Sequence, residues 1–429
     1  MTSDHEPQAA SSAPSSGPAW EGSQLTALAA RHGTPFFLYD LDAALAQLAR
    51  LVAPLPATAS VLYAMKANAN ARVLELLRGR VGGLDVSSIG EVRLACAAGY
   101  APATMSFAGP GKSDEELREA LQLGVGLISV ESPGELRRLG AVARQLGRRA
   151  AITLRINPAH IPNAFMMKMG GQASQFGIAE EELEQPLRAA LADPALELHG
   201  LHVYAGTQCL DAAAILDNVR ATLTLVARLA GEHELAPRVV NLGGGFGIPY
   251  FAGQQALEVE TLAPQLGELL TQAQAAEPRF AATRFVLELG RYLIGPYGVY
   301  VARVVEVKVT RGKRFAILDG GMNHCFAATG NFGQLVKKNY AVSNLTHPDA
   351  APERQELVGP LCTPLDSLAR AIDLPRAEPG DLVAFHACGA YTFSASPLLF
   401  LGHDTPVELV QHGGEVSVGR RRLAATHFA

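Results

Sequence analysis

Residues 60–98 read SVLYAMKANANARVLELLRGRVGGLDVSSIGEVRLACAA. A short apolar run at 60–64 leads into a helical pattern at 72–77. A second run at 83–86 leads into a second helical pattern at 90–98. The hydrophobic period switches between strand and helix spacing, and Asn or Gly marks the breaks. The same rhythm continues outward. Strand-type runs recur at 105–108, 126–130, 150–156, 198–204, 239–242 and 285–287, and helical patterns fill the gaps at 114–123, 133–146, 180–191, 213–230 and 262–275. Eight βα units over about 250 residues predict an α/β fold, a closed (β/α)8 TIM barrel. A doubly wound open sheet has the same rhythm.

Upstream, Phe36-Phe37-Leu38-Tyr39-Asp40 reads as a strand, followed by an amphipathic helix carrying Leu41, Leu45, Leu48 and Leu51. Downstream, the rhythm stops. Residues 298–318 are strand-like with no helix between, and further runs stand at 381–386, 398–401 and 406–410. The organisation predicted is a barrel over 41–295 and a C-terminal all-β domain over 296–429, whose sheet the strand at 36–40 joins. Residues 1–19 are mostly Ser, Pro and Ala and predict a disordered tail. They lack the apolar segment of a signal peptide, and no run of 18 apolar residues follows anywhere.

Of the 429 residues, 48% are hydrophobic and 18% charged, as in a globular protein rather than a disordered one. The net charge of −5, with no basic run, argues against nucleic acid and anionic membranes as partners. The cysteines at 96, 209, 325, 362 and 388 contain no CxxC pair. Neither a disulfide framework nor a metal site is expected, and a reducing cytoplasm fits best.

Catalytic groups of a barrel come from the C-terminal ends of its strands. The first run ends in Tyr63-Ala64-Met65-Lys66-Ala67-Asn68. Lys66 reads either as a rim lysine that reaches water or as a Schiff-base amine made nucleophilic by its surroundings. The seventh ends in Asn241-Leu242-Gly243-Gly244-Gly245, and the eighth in Glu288-Leu289-Gly290-Arg291. Glycine turns at those two ends let main-chain N–H groups approach a phosphate closely.

In order along the chain stand YAMKAN, LDVSSIGE, LRINP, SQFGI, the triple-glycine turn, ELGR, LDGGMN, GPLC and CGAY. In these motifs, over roughly residues 30–415, the sequence resembles the barrel-type pyridoxal-phosphate decarboxylases, the diaminopimelate and ornithine decarboxylase family. The resemblance implies pyridoxal 5'-phosphate as cofactor, held covalently by Lys66. It implies that Gly243, Gly244, Gly245, Gly290 and Arg291 hold the phosphate, with Thr207 in the place of a serine and a hydroxyl from Tyr391. Glu288 would pair with the pyridine nitrogen, and Asp85, Glu91 and Arg155 would lie near the ring. A homodimer with shared sites is implied, in which Cys362 of one subunit protonates the product carbanion in the other.

Four positions depart from the family pattern. Tyr204 stands where a histidine stacks on the ring; an aromatic still stacks there, and His202 takes a supporting part. Thr363 follows Cys362 in place of an acidic residue, so a distal ammonium loses its partner. Ala327 stands near an expected arginine, so a distal carboxylate loses its own. Lys168, in Met167-Lys168-Met169-Gly170-Gly171, is either an anion ligand or a solvated loop lysine. MKMGG, YAGTQ, GPLCTPLD and SPLLFLGH resemble the branch of glutamyl-carrier-protein, exosortase-associated and siderophore-pathway decarboxylases. That branch implies an amino-acid substrate whose far end is masked, as in attachment to a carrier protein in secondary metabolism. Diaminopimelate decarboxylase and a non-catalytic cofactor-binding protein are the alternatives.

Overall fold

The computed structural model describes residues 18, 20–161, 164–331 and 337–428. The tail expected at 1–19 lies outside the described residues, apart from residue 18. The chain forms two compact units. One comprises Leu45–Ile248 and Leu257–Tyr292; Pro249–Ala256 belongs with the other, which is rich in strands.

Strand β1 (Phe36–Asp40) precedes the first unit. The eight parallel strands of that unit are β2 (Ala59–Ala64), β3 (Gly83–Val86), β4 (Met105–Phe107), β5 (Leu127–Val130), β6 (Ala150–Asn157), β7 (Leu196–Val203), β8 (Val239–Gly244) and β9 (Arg284–Leu289). Each pairs with the next in sequence, and β9 pairs back onto β2 through Leu287↔Val61 and Leu289↔Tyr63. The ring is closed, so the open sheet is excluded. Strands covered on both faces carry continuous apolar runs rather than alternation. Thus every residue of β5 (LISV) is buried. Three of the intervening helices start at serine caps. Ser88 and Ser132 accept N–H groups from Glu91 and Glu135, and Ser113 forms a reciprocal capping box with Glu116. Each cap contributes about 1 kcal/mol.

In the second unit, β10 (Gly298–Thr310) turns through Arg311 and Gly312, both at positive φ, into β11 (Lys313–Leu318). Strand β1 lies antiparallel to β10 and parallel to β16 (Val407–His412). Helix α1 (Gly22–His32) buries Leu25, Leu28 and Ala29 on this sheet, against Phe36, Leu38, Val299, Val301 and Leu409. Val342–Asn344 forms β12, Pro352–Val358 β13, Ser367–Pro375 β14, Leu382–Phe385 β15 and Glu415–Arg420 β17. The strand expected at 398–401 is instead a 3-10 turn at Phe400–Gly402. Pro397 opens it, and Leu401 takes φ 58°. Leu399, Phe400 and Leu401 are exposed, so their apolar character does not signal burial in a sheet.

Candidate active site at the C-terminal ends of the barrel strands

Lys66 sits in the single 3-10 turn Met65–Ala67 that leaves β2. Its Nζ lies 2.9 Å from Oδ2 of Asp85, which is fully buried on β3, next to Ala64 in register. Burial and the charge of Glu288 push the Asp85 carboxyl above its ordinary range, against the pull of Lys66 and His202. Glu91, one turn further on, accepts the Ser87 N–H at 2.6 Å, and burial raises its carboxyl as well.

Glu288 is buried on β9 within a polar chain. Asn241 on β8 donates from Nδ2 to Oε1 of Glu288 at 2.6 Å, and its Oδ1 accepts the Gly243 N–H at 2.9 Å. His202 Nε2 stands 3.4 Å from Oε2 of Glu288, and its Nδ1 lies 2.7 Å from Ser129 Oγ. Burial alone would raise the Glu288 carboxyl, but His202, Lys66 and Asn241 hold it down to about 2. It is therefore an anion at any working pH.

Arg155 on β6 forms a buried ion pair with Glu131 at 2.8 Å. Glu131 also accepts N–H groups from Gly109 at 2.7 Å and Gly177 at 3.2 Å. Burial opposes ionisation here too, but Arg155 and Lys112 outweigh it and lower the carboxyl. The Tyr204 ring lies 5.8 Å from Lys66 Nζ and 5.7 Å from the Arg155 guanidinium. Cations at this distance are attracted to the ring face. Tyr204 is thus the aromatic beside Lys66, and His202 is the imidazole beside Glu288.

The glycine turns are sterically required. Gly243 and Gly245 have φ 66° and 90°. A Cβ on Gly244 would collide with the Glu288 carbonyl. One on Gly290 would come 2.7 Å from Ala67 Cβ, in the turn that carries Lys66. Arg291 opens the short helix Arg291–Ile294, and Thr207 is buried in a two-residue bridge to Met167.

Cys362 and Tyr391 belong to the second unit. Cys362 is exposed in a turn closed by Asp366, whose oxygens accept the Leu361 N–H at 2.8 Å and the Met322 N–H at 2.7 Å. Tyr391 adopts φ 57° in a turn where Thr392 Oγ1 donates to the Cys388 carbonyl at 2.8 Å. The sequence reading missed Glu131, Asn241, Ser129 and Asp366. Glu131 carries a detectable signal, since it is a polar residue just past the C-terminal end of a barrel strand, and Asn241 is a polar residue in the glycine-ended strand segment VVNLGG.

These groups suit a phosphorylated pyridine aldehyde. A lysine amine is held at a buried aspartate, an ionised carboxylate lies on the neighbouring strand β9, and glycine turns at β8 and β9 admit close backbone approach. Among the described residues, no group of His, Cys, Asp and Glu is arranged to hold a metal ion, and no helix is long and apolar enough to cross a membrane.

Residues 41–295 match the family described as pyridoxal-dependent decarboxylase, pyridoxal binding domain. The chain is 35% identical over 406 residues to the L-glutamyl-[BtrI acyl-carrier protein] decarboxylase of Niallia circulans, covering 94% of each. It is 36% identical over 380 residues to the diaminopimelate decarboxylase of Pseudomonas aeruginosa, covering 88% of this chain and 87% of that one. The crystal structure of diaminopimelate decarboxylase from Helicobacter pylori complexed with L-lysine superposes with a TM-score of 0.83 at 28% identity, over 94% of this chain and 98% of that one. From its motifs, its closed barrel and these likenesses, the chain belongs to the pyridoxal-dependent decarboxylases, carboxy-lyases that use pyridoxal phosphate.

Proposed function

We propose that this decarboxylase removes the α-carboxylate from a glutamyl-type amino acid carried as an acyl group on a carrier protein, in secondary metabolism. The observation that carries this reading is the likeness to the carrier-dependent glutamyl decarboxylase along 94% of both chains. The two uncharged positions support it. Thr363 beside Cys362 and the buried Ala327 offer no partner to a charged far end. Burying an unpaired charge there would cost on the order of 3–5 kcal/mol.

When bound, the cofactor supplies an acceptor for the electron pair left behind as CO₂ departs. Lys66 would hold it through Nζ, with Asp85 keeping that amine in place. Gly243, Gly244, Gly245, Gly290 and Arg291 would hold its phosphate with main-chain N–H groups, beside Thr207. Glu288, ionised and fixed by Asn241 and His202, would keep a proton on the ring nitrogen. The ring of Tyr204 would stack on the cofactor, and Arg155 would support it from the side. The Cα–carboxylate bond breaks, CO₂ leaves, and Cα takes a proton from the Cys362 thiol, which water then reprotonates. We further propose a homodimer in which each subunit lends Cys362 to its partner. Five free cysteines, with the buried Cys325 and Cys388 sulfurs sharing a thiol hydrogen bond at 3.8 Å rather than a disulfide, suit a reducing compartment such as the cytoplasm.

The test is CO₂ release by the pyridoxal-loaded protein from a panel: diaminopimelate, ornithine, lysine, free glutamate and glutamyl-carrier protein. Turnover of the carrier-bound glutamyl group above all free amino acids is expected. Preference for diaminopimelate would replace this reading with the second one, which the likeness to the Pseudomonas aeruginosa enzyme favours.

A further inference from the structure

Next to the Cys362 turn, the strand-rich unit has a concavity of about 620 Å³, and Leu361, Thr363, Lys313 and Arg370 line it. Arg370 is held there by unusual backbone. Strand β14 slips register against β13 between Gln355 and Leu357, and Ala371 takes φ 44° in the bulge. An alanine in the left-handed region is strained and persists only when its surroundings enforce it. Asn339 enforces it from outside the strand. Its Oδ1 accepts the Arg370 N–H at 2.9 Å, and its Nδ2 donates to the Arg370 carbonyl at 2.7 Å. Bulges of this kind re-aim side chains beside functional sites.

The charges of the concavity are unbalanced. Among the described residues, neither Lys313 nor Arg370 has a carboxylate within ion-pair distance; the one hydrogen bond of the Arg370 guanidinium is a 3.3 Å contact to Ser367 Oγ. Outside the lining, Lys337 lies near enough to Arg370 for the two charges to repel, and desolvation together with Arg370 lowers the pKa of its ammonium. Two acids line the same surface, Glu356 and Asp366. Asp366 already accepts two main-chain N–H groups, and burial raises its carboxyl. Glu356 therefore stands alone against the cations.

We propose that Arg370 and Lys313 form an anion-recognition site for the phosphodiester of a carrier protein's thiol arm, which makes them specificity determinants beside Cys362. A guanidinium fork takes two phosphate oxygens at once, and the lysine adds a mobile point charge. This inference rests on the tethered-substrate reading and names the part of the tether that is recognised.

The experiment measures binding to the holoenzyme by calorimetry with 4'-phosphopantetheine and with pantetheine, which differ only in the phosphate. The phosphorylated probe is expected to bind at least about tenfold tighter, the effect of one charge-assisted contact. The Arg370→Gln/Lys313→Gln double variant should lose that preference while melting at the wild-type temperature, and Arg370→Lys should keep part of it. Equal binding of the two probes by wild type, or a preference that survives in the double variant, overturns the site. Decarboxylation of the glutamyl thioester is assayed separately. A phosphate preference without thioester turnover upholds the anion site and removes the tethered-substrate reading, so the two failures are distinguishable.

Discussion

The barrel mouth and the Cys362 turn arrange their chemistry in opposite ways. In the barrel, charged side chains are paired against buried partners: the half-buried Lys66 with Asp85, Arg155 with Glu131, and Glu288 with Asn241 and His202. In the strand-rich unit the Cys362 thiol is exposed, and only the support of its turn, Asp366, is buried. The first arrangement preorganises groups for a cofactor that stays bound. The second presents a group to something that arrives. Breaking one partner of a buried pair is costly because it strands the other. Changing an exposed thiol leaves the fold unaffected but removes its proton.

The largest expected effect comes from Lys66→Ala. The variant should release no CO₂ above background, and borohydride should fail to fix the cofactor at position 66. Next is Glu288→Gln, for which kcat should fall on the order of 1,000-fold with little change in KM, because the lost interaction acts on the reacting system rather than on substrate binding. Cys362→Ala should lower kcat by on the order of 100-fold or more with the melting temperature unchanged. After verified subunit exchange, mixing it with Lys66→Ala should restore part of the activity, and no recovery would remove the shared site. Replacing Asp366 with Ala should cost about 1–3 kcal/mol by denaturant unfolding, since two buried N–H groups lose their acceptor. The smallest effect belongs to Ser113→Ala, about 1 kcal/mol of stability with kcat unchanged.

Acid titration sharpens the same contrast. The Glu288 carboxyl is depressed to about 2, so its contribution is present above the ordinary carboxylate range and is lost as pH falls towards 2. The Asp366 carboxyl is raised by burial, so its sign is reversed: its contribution is greatest when it is protonated and declines as pH rises through the raised value. Unfolding of wild type and Glu288→Gln followed between pH 2 and about 5 should converge at the acid end and separate above it.

Much of the barrel is legible in the chain because strands buried on both faces must be apolar and their helices must be amphipathic. Lys66, Asp85, Glu288 and the glycine turns stand at strand ends, where local pattern and position coincide. Glu131 and Asn241 are less legible, since their importance lies in partners 24 and 47 residues away. In the second unit, β13 (PERQELV) is half polar and shows no apolar run, whereas 398–401 is apolar without being a strand. There, pairing is set by long-range register, and local hydrophobicity misleads.

The short strand β1 carries a consequence for how the protein is made. Phe36 pairs with Val301 on one side and with Val407 on the other. Both neighbours emerge from the ribosome only after the whole cylinder has been synthesised. The opening segment must therefore wait, apolar and unpaired, while a complete second body is built behind it. Contacts this distant in sequence form slowly, and exposed strand edges invite association. That edge can be completed only when Val407–His412 is free of the ribosome, so a chain truncated before Val407 leaves Phe36–Asp40 with one edge open.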